Sequence, residues 1–239
     1  IRPFIAAQPE KALVQLLAWA KSGNHHLRRL SSEGSRTRLP WGKKLDVFIQ
    51  NPALTNPILE LLKNDSSKYV QTSVANHLND LSKDNLAYFY SVITKWNAKA
   101  LPNTQWIIKH ALRNEVKKGD DRALKLLGFT APAFKNAKLT LANKEVELGG
   151  FTYLSSDFEL ENKGKWVIDY AVYLVKANGS SFRKVFKWKT LLTDGNTHLC
   201  LRKKIDFKPI TTRRYHVGLH KIELLINGQA AAVTSLLLK

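Results

Sequence analysis

The stretch SSEGSRTRLPW, residues 31–41, places one carboxylate, Glu33, directly before Gly34 and within eight residues of Arg36, Arg38 and Trp41. Neighbouring cations keep such a carboxylate ionised at neutral pH. On a surface that attracts polyanions, an anion repels phosphate. Glu33 is therefore either an ordinary helix-end acid paired with Arg29 or Arg36, or a group with chemistry to perform. The chemistry that suits a lone carboxylate is stabilisation of a developing positive charge. Cleavage of a glycosidic bond supplies one, because its transition state resembles an oxocarbenium ion. A carboxylate about 3 Å from the sugar stabilises that charge and orients water. A base already made cationic by alkylation leaves without a strong general acid, so a second carboxylate is not required. Gly34 suits a helix end and a close backbone approach. Arg36 and Arg38 suit phosphate oxygens. Trp41 offers an apolar face to a deoxyribose or base, or else fills the core beside Pro40.

The charge of the chain sets the class of partner. Among 239 residues, 38 are Lys or Arg and 19 are Asp or Glu, a net charge of +19. The excess is +10 over residues 1–130 and +9 over residues 131–239, so it is spread evenly. Such a field favours nucleic acid first and an anionic membrane surface second. A hydrophobic share of 44% indicates a folded chain. The single cysteine, Cys200, excludes an intrachain disulfide and a multi-cysteine metal site, and fits a reducing compartment, the cytoplasm. No 18-residue apolar run is present, so no membrane span is expected. The chain has no methionine and opens on Ile1; a trimmed fragment is expected.

Two periodicities divide the chain. Up to about residue 129 apolar residues recur at helical spacing, in segments 9–23, 56–65, 67–84, 85–98 and 102–119. Beyond residue 134, β-branched and aromatic residues alternate in about seven strand-like segments. Asn178-Gly179, Asp194-Gly195 and Asn227-Gly228 read as hairpin turns. The expected architecture is an α-solenoid over 1–130, a linker at 129–134, and an antiparallel sandwich of immunoglobulin-like size over 134–239. The helical half contains a repeat: LRRLSSEG from Leu27, VQTSVANH from Val70 and IIKHALRN from Ile107 align, at offsets of 43 and 37 residues. That spacing is of HEAT or armadillo kind. Equivalent positions of a solenoid face one way, so Glu33, Asn76 and Arg113 should line one surface.

Other candidates are weaker. Asp80 and Asp84 read as a helix-end acid and a cap for the next helix, or as further acids of the groove. Trp106 and His110 share a helix face and, with Arg113, could reach DNA. His25, His26, His77, His110, His198, His216 and His220 show no ligand spacing, so no metal is expected; no nucleotide-binding pattern is present either, so no cofactor is expected. In the strand-rich half, SFRKVFKWK (181–189), LRKK (201–204) and TTRR (211–214) interleave cations with aromatics. These nominate Arg183, Lys184, Arg213 and Arg214 as phosphate contacts.

LRRLSSEGSRTRLPWG, SVANHLNDLSKDN, WIIKHALR and ALKLLGF, together with VIDYAVYLVKANG and TTRRYHVGLHKIELLING, resemble the AlkC-like branch of the bacterial HEAT-like DNA alkylation-repair proteins. The resemblance covers nearly the whole chain. It implies a monofunctional DNA glycosylase that acts on double-stranded DNA, removes N3-methylated purines or N3-methylcytosine, and has Glu33 as its carboxylate. It also implies a fold similar to AlkD, with an appended immunoglobulin-like domain that helps grip DNA, and further helical repeats before the first one seen here. A monomer is expected. In the family's pattern a basic pair stands where this chain has Gln71 and Thr72, which should weaken phosphate binding. Two rival readings stay open: an inactive DNA-binding scaffold of the same fold, and a solenoid that binds protein partners.

Overall fold

A computed structural model describes residues 1–209 and 214–239. The chain forms two compact units, Ile1–Asn114 and Glu115–Lys239.

The first unit is helical. Its elements are α1 (Arg2–Ala7), α2 (Pro9–Ala20), α3 (His25–Gly34), α4 (Asp46–Gln50), a 3₁₀ turn (Pro52–Thr55), α5 (Asn56–Leu62), α6 (Lys68–Asp84), α7 (Leu86–Asn97) and α8 (Pro102–Ala111). α9 (Arg113–Lys118) spans the division between the units. The expected helix over 102–119 thus breaks at Leu112 into α8 and α9. Local chemistry sets the starts. Pro9 and Pro102 occupy first-turn positions. The Asn24 side chain accepts from the His26 amide at 2.9 Å, and Asn85 accepts from Tyr88 at 3.0 Å. α3, α6 and α8 pack side by side, and α2, α5 and α7 pack against them. Leu16, Phe48, Ile58, Leu59, Val74, Leu78, Phe89 and Ile107 are sealed in the core of this unit. The three aligned segments lie on α3, α6 and the α8–α9 junction, which places their shared surface along one row of helices.

Among the described residues, the second unit joins α10 (Asp121–Leu126) to eight strands: β1 (Phe134–Leu141), β2 (Glu145–Val146), β3 (Phe151–Leu160), β4 (Gly164–Val175), β5 (Ser181–Thr193), β6 (Thr197–Asp206), β7 (Gly218–Ile226) and β8 (Gln229–Leu238). They form a three-stranded sheet, β1-β3-β6, and a five-stranded sheet, β2-β8-β7-β4-β5. β3 alternates buried and accessible residues along its whole length, as a half-covered strand must. Trp166, Phe158, Phe207 and Ile222 fill the space between the sheets, and the Trp166 indole donates to the Thr193 hydroxyl at 2.9 Å.

Two turn readings differ from what was expected. Asn178-Gly179 and Asn227-Gly228 close the β4–β5 and β7–β8 hairpins. Asp194-Gly195 instead carries the chain from β5 in one sheet to β6 in the other. The 129–134 segment is not a free linker between bodies at 130 and 134. The Thr130 amide donates to the Lys165 carbonyl at 3.2 Å, and Lys165 Nζ donates to the Leu127 carbonyl at 2.6 Å. The residues from Glu115 onward therefore fold with the sandwich.

Asn227 organises this junction. Its backbone is left-handed, with φ of 45°, and Gly228 follows at 82°, the conformation of a two-residue hairpin. Its Oδ1 accepts from the Val167 amide at 2.7 Å, while Nδ2 donates to the carbonyls of Thr130 (2.8 Å) and Lys165 (3.2 Å). A Cβ added at Gly228 would lie 2.5 Å from the Gly119 Cα, so that contact requires glycine. Asn227→Ala strands the Val167 amide and the Thr130 carbonyl and keeps the strained φ. It is expected to destabilise the second unit by about 2–4 kcal/mol in urea unfolding, with Asn227→Gly costing less than Asn227→Ala because it relieves the backbone.

Candidate functional site: a carboxylate–arginine chain on α3 and α6

Glu33 lies in the last turn of α3, one residue before Gly34. Its side chain is about a quarter exposed and carries two ion pairs. Oε1 accepts from Arg36 Nη1 at 2.8 Å, and Oε2 lies 3.2 Å from Arg29 Nη2. The expectation of pairing with Arg29 or Arg36 is met by both. The two contacts differ in kind. Arg36 makes a directed hydrogen bond, whereas Oε2 is covered and has no hydrogen-bond partner. Arg29 is directed elsewhere: it donates to the Tyr69 carbonyl at 2.9 Å and its guanidinium sits 4.0 Å over the Tyr69 ring.

Arg36 connects two helices. Beyond Glu33, its Nε and Nη2 clasp Asp80 Oδ2 on α6 at 2.8 and 2.7 Å. Asp80 is buried, and Lys83 reaches its other oxygen at 3.0 Å. Glu33 and Asp80 thus share one buried guanidinium. This corrects the sequence expectation for Asp80 as a solvated helix-end acid. Asp84 does not cap the following helix either, since Asn85 does so. Asp84 instead accepts from Thr37 Oγ1 and Arg38 Nε, both at 2.7 Å, and pairs with Arg38 Nη2. Burial pushes the Asp84 carboxyl up, but the Arg38 and Thr37 hydrogen bonds prevail and hold it below the usual carboxylate range. Arg36 and Arg38 therefore spend much of their hydrogen-bonding capacity inside the protein. The half-exposed Arg38 retains surface, whereas Arg36 is buried.

Two of the three aligned positions, Asn76 and Arg113, meet directly. Arg113 Nη2 donates to Asn76 Oδ1 at 3.0 Å, and its charge is felt together with those of Asp80 and Arg36. Burial lowers the proton affinity of Arg113; Asp80 opposes that shift and Arg36 adds to it. Trp106 stacks on His110 at 4.9 Å, and the Lys68 ammonium stands 2.9 Å from the indole centre. Burial, Arg113 and Lys68 lower the His110 pKa. Trp41 is fully exposed on a left-handed turn (φ 65°), which rules out the core reading. Gln71, expected to leave a gap in the cationic surface, is buried; it donates to the Asp65 carbonyl and accepts from Lys68. Thr72 turns its hydroxyl back to the Lys68 carbonyl. Lys68, one turn earlier, supplies a surface cation there.

Beneath the site, His77 is sealed. Its Nδ1 lies 3.1 Å from the Ser32 carbonyl, so that nitrogen carries the proton, and Nε2 has no partner. Burial pushes its pKa down to about 4.

In the second unit two of the basic clusters, 181–189 and 201–204, fall on edge strands, while residues 211–213 of the third lie outside the described residues. β5 and β6 each end a sheet, and the Asp194-Gly195 crossing joins them. Alternation separates the nominated neighbours, however. Arg183 pairs across from Tyr173 on one face of β5, and Lys184 from Val172 on the other. Arg183 is also drawn toward Glu223 at 3.7 Å. Arg214 is exposed, and Arg213 lies outside the described residues. The expectation that no histidine meets a ligand partner fails at one place: His198 and Cys200 of β6 converge on Asp157 of β3.

Comparison with known proteins places this arrangement in a family. Residues 135–239 match a family model described as the C-terminal Ig-like domain of the uncharacterised protein YhaZ. Uncharacterized protein YhaZ of Bacillus subtilis is 40% identical over 230 residues, 96% of this chain and 64% of its own length. Pseudomonas fluorescens alkylpurine DNA glycosylase AlkC, solved bound to DNA containing an abasic site analogue, superposes with a TM-score of 0.93 at 37% identity. That match covers all of this chain and 67% of AlkC. The chain belongs to the AlkC-like family, a helical region followed by an immunoglobulin-like sandwich. It spans about two thirds of the length of these relatives. Among the described residues, no helix is long and apolar enough to cross a membrane.

Two stability predictions follow from the buried chain of charges. Arg36→Met leaves Asp80 buried without its main counter-charge and should destabilise the helical unit by about 3–5 kcal/mol in denaturant unfolding. For His77 the folded pKa, about 4, is below the unfolded value of 6.5. The unfolded state then binds the extra proton, so stability is full above pH 6.5 and falls as pH drops toward 4, by up to ~3 kcal/mol. The difference in unfolding free energy between wild type and His77→Asn should narrow across that window.

Proposed function

We propose that this protein is a DNA glycosylase of base excision repair that releases alkylated, cationic bases such as N3-methyladenine or N3-methylcytosine from double-stranded DNA, with Glu33 as the carboxylate that meets the sugar. The observation that carries the reading is the position of Glu33. A partly exposed carboxylate, fixed by Arg36 through one oxygen, keeps its other oxygen free of hydrogen bonds, within a row of helices that carries Arg29, Lys68, Lys83 and Arg113. The likeness to AlkC over the whole chain supports the same class of reaction.

The chemistry divides between binding and charge. Arg29, Arg38, Lys68, Lys83 and Arg113 hold phosphates, while Arg36 orients Glu33. Trp41 offers its bare indole to a sugar or base, and Trp106, His110 and Asn76 complete the surface. Basic residues of β5 and β6, Arg183 and Lys184 among them, and Arg214 beyond them, extend the phosphate contacts in the sandwich. Arg29 leaves Glu33 for a phosphate when DNA binds, which uncovers Oε2. The C1′–N bond then breaks heterolytically. Its electron pair goes to the base and neutralises the cation, and C1′ becomes positive beside Oε2. Water held by the carboxylate adds to C1′ and loses a proton, leaving free base and an abasic site. No amine attacks the sugar, so the strand is not cut.

Glu33→Gln should lower single-turnover release of N3-methyladenine by about 10²–10³-fold, as for loss of a preorganised electrostatic group, with DNA affinity unchanged or raised. Equal release by wild type and variant would remove Glu33 from the mechanism. Release by neither, with salt-dependent DNA binding retained, is the outcome that establishes the scaffold reading.

A further inference from the structure

The outward face of the three-stranded sheet gathers three potential ligands of different chemistry. Asp157 on β3 and Cys200 on β6 are direct cross-strand partners. His198 lies two residues before Cys200, so its side chain leaves the same face of the strand. Their donor atoms all fall within 4.8 Å of one another. Cys200 Sγ donates to Asp157 Oδ2 at 3.0 Å, His198 Nε2 lies 3.2 Å from Oδ1, and Sγ and Nε2 are 4.0 Å apart. A tetrahedral ion with bonds of about 2.0–2.3 Å needs donor atoms roughly 3.5 Å apart. The observed separations bracket that value, so closure onto an ion needs only side-chain adjustment. The strands that carry the three groups pair continuously from Phe151↔Asp206 to Leu160↔Thr197, which holds the backbone in register.

We propose that Asp157, His198 and Cys200 form a binding site for one divalent transition-metal ion of zinc type. The donor set argues for that class: thiolate and imidazole select borderline ions over magnesium and calcium, which prefer all-oxygen cages. Three protein ligands leave the fourth position open to water, and a shallow depression lined by Asp157, Cys200, Lys138, Thr140 and Arg202 adjoins it. A thiol binds a metal as its thiolate, so binding releases the thiol proton and affinity rises with pH. The electrons balance without redox change: the S–H bond breaks heterolytically, the proton goes to solvent and the sulfur pair binds the metal. By joining β3 to β6, the ion ties the edge strand β6 to the sheet interior. The site lies on the immunoglobulin-like unit and does not depend on the glycosylase reading.

Titration of the whole chain with Co²⁺ under reducing conditions tests this. The expected result is one equivalent bound, with thiolate-to-cobalt charge-transfer absorption, and a Zn²⁺-dependent rise in the melting temperature of the sandwich. Cys200→Ser should abolish the charge-transfer band, and His198→Ala should weaken affinity by more than about 100-fold, beyond the loss of a supporting group. All three side chains are surface groups, so these variants should keep their circular dichroism spectra. Absence of a thiolate band in the wild type, or unchanged affinity in His198→Ala, overturns the proposal. Loss of binding on mutating His25 and His26, an exposed histidine pair on α3, with Cys200 intact, also overturns it by placing the ion elsewhere.

Discussion

Arg36 is the constraint on which the helical unit's site depends. It is buried, and it reaches a carboxylate on each of two adjacent helices. Burying a guanidinium is expensive unless its donors are met, and breaking such a group is costlier than never having built it. The arrangement therefore fixes the rotation of α3 against α6, because any turn of either helix removes an acceptor from a charge largely withdrawn from water. Asp80 gains a second cation in Lys83, and Arg113 and Asn76 continue the polar seam toward α8. Glu33 thus inherits its position from the interior.

The same geometry accounts for an apparent contradiction. A carboxylate held by two arginines looks neutralised, which suits a stabilising pair better than a catalyst. Yet the holds are unequal. Arg36 is committed on both sides and cannot leave. Arg29 touches Glu33 without hydrogen-bond alignment and already shares itself with Tyr69. One cation is locked between two carboxylates, and the other lies against Glu33 while bonded to Tyr69.

Much of this was legible in the sequence. The change of period near residue 130 separates helices from strands, and the aligned segments from Leu27, Val70 and Ile107 land on adjacent helices, bringing Asn76 and Arg113 into contact. What was hidden depended on partners distant in the chain. Asp80 reads as an ordinary helical acid because Arg36 stands 44 residues away. Asp157 and the His198–Cys200 pair are some forty residues apart, and only strand pairing unites them. Asp194-Gly195 resembles a hairpin turn because local turn chemistry is blind to which sheet receives the next strand. Gln71 looked like a lost contact because helical spacing alone does not say which side of α6 faces inward.

The Asn227 tether bears on modularity. The recognisable sandwich motif begins at residue 135, but the body that folds with it begins at Glu115. Thr130 supplies a backbone acceptor to Asn227, Lys165 anchors Leu127, and Gly119 backs onto Gly228. A sandwich transplanted from residue 135 onward would lose these partners and expose the glycine seam. The piece that recombination could move intact is about twenty residues longer than its sequence signature, and it carries its own helical collar.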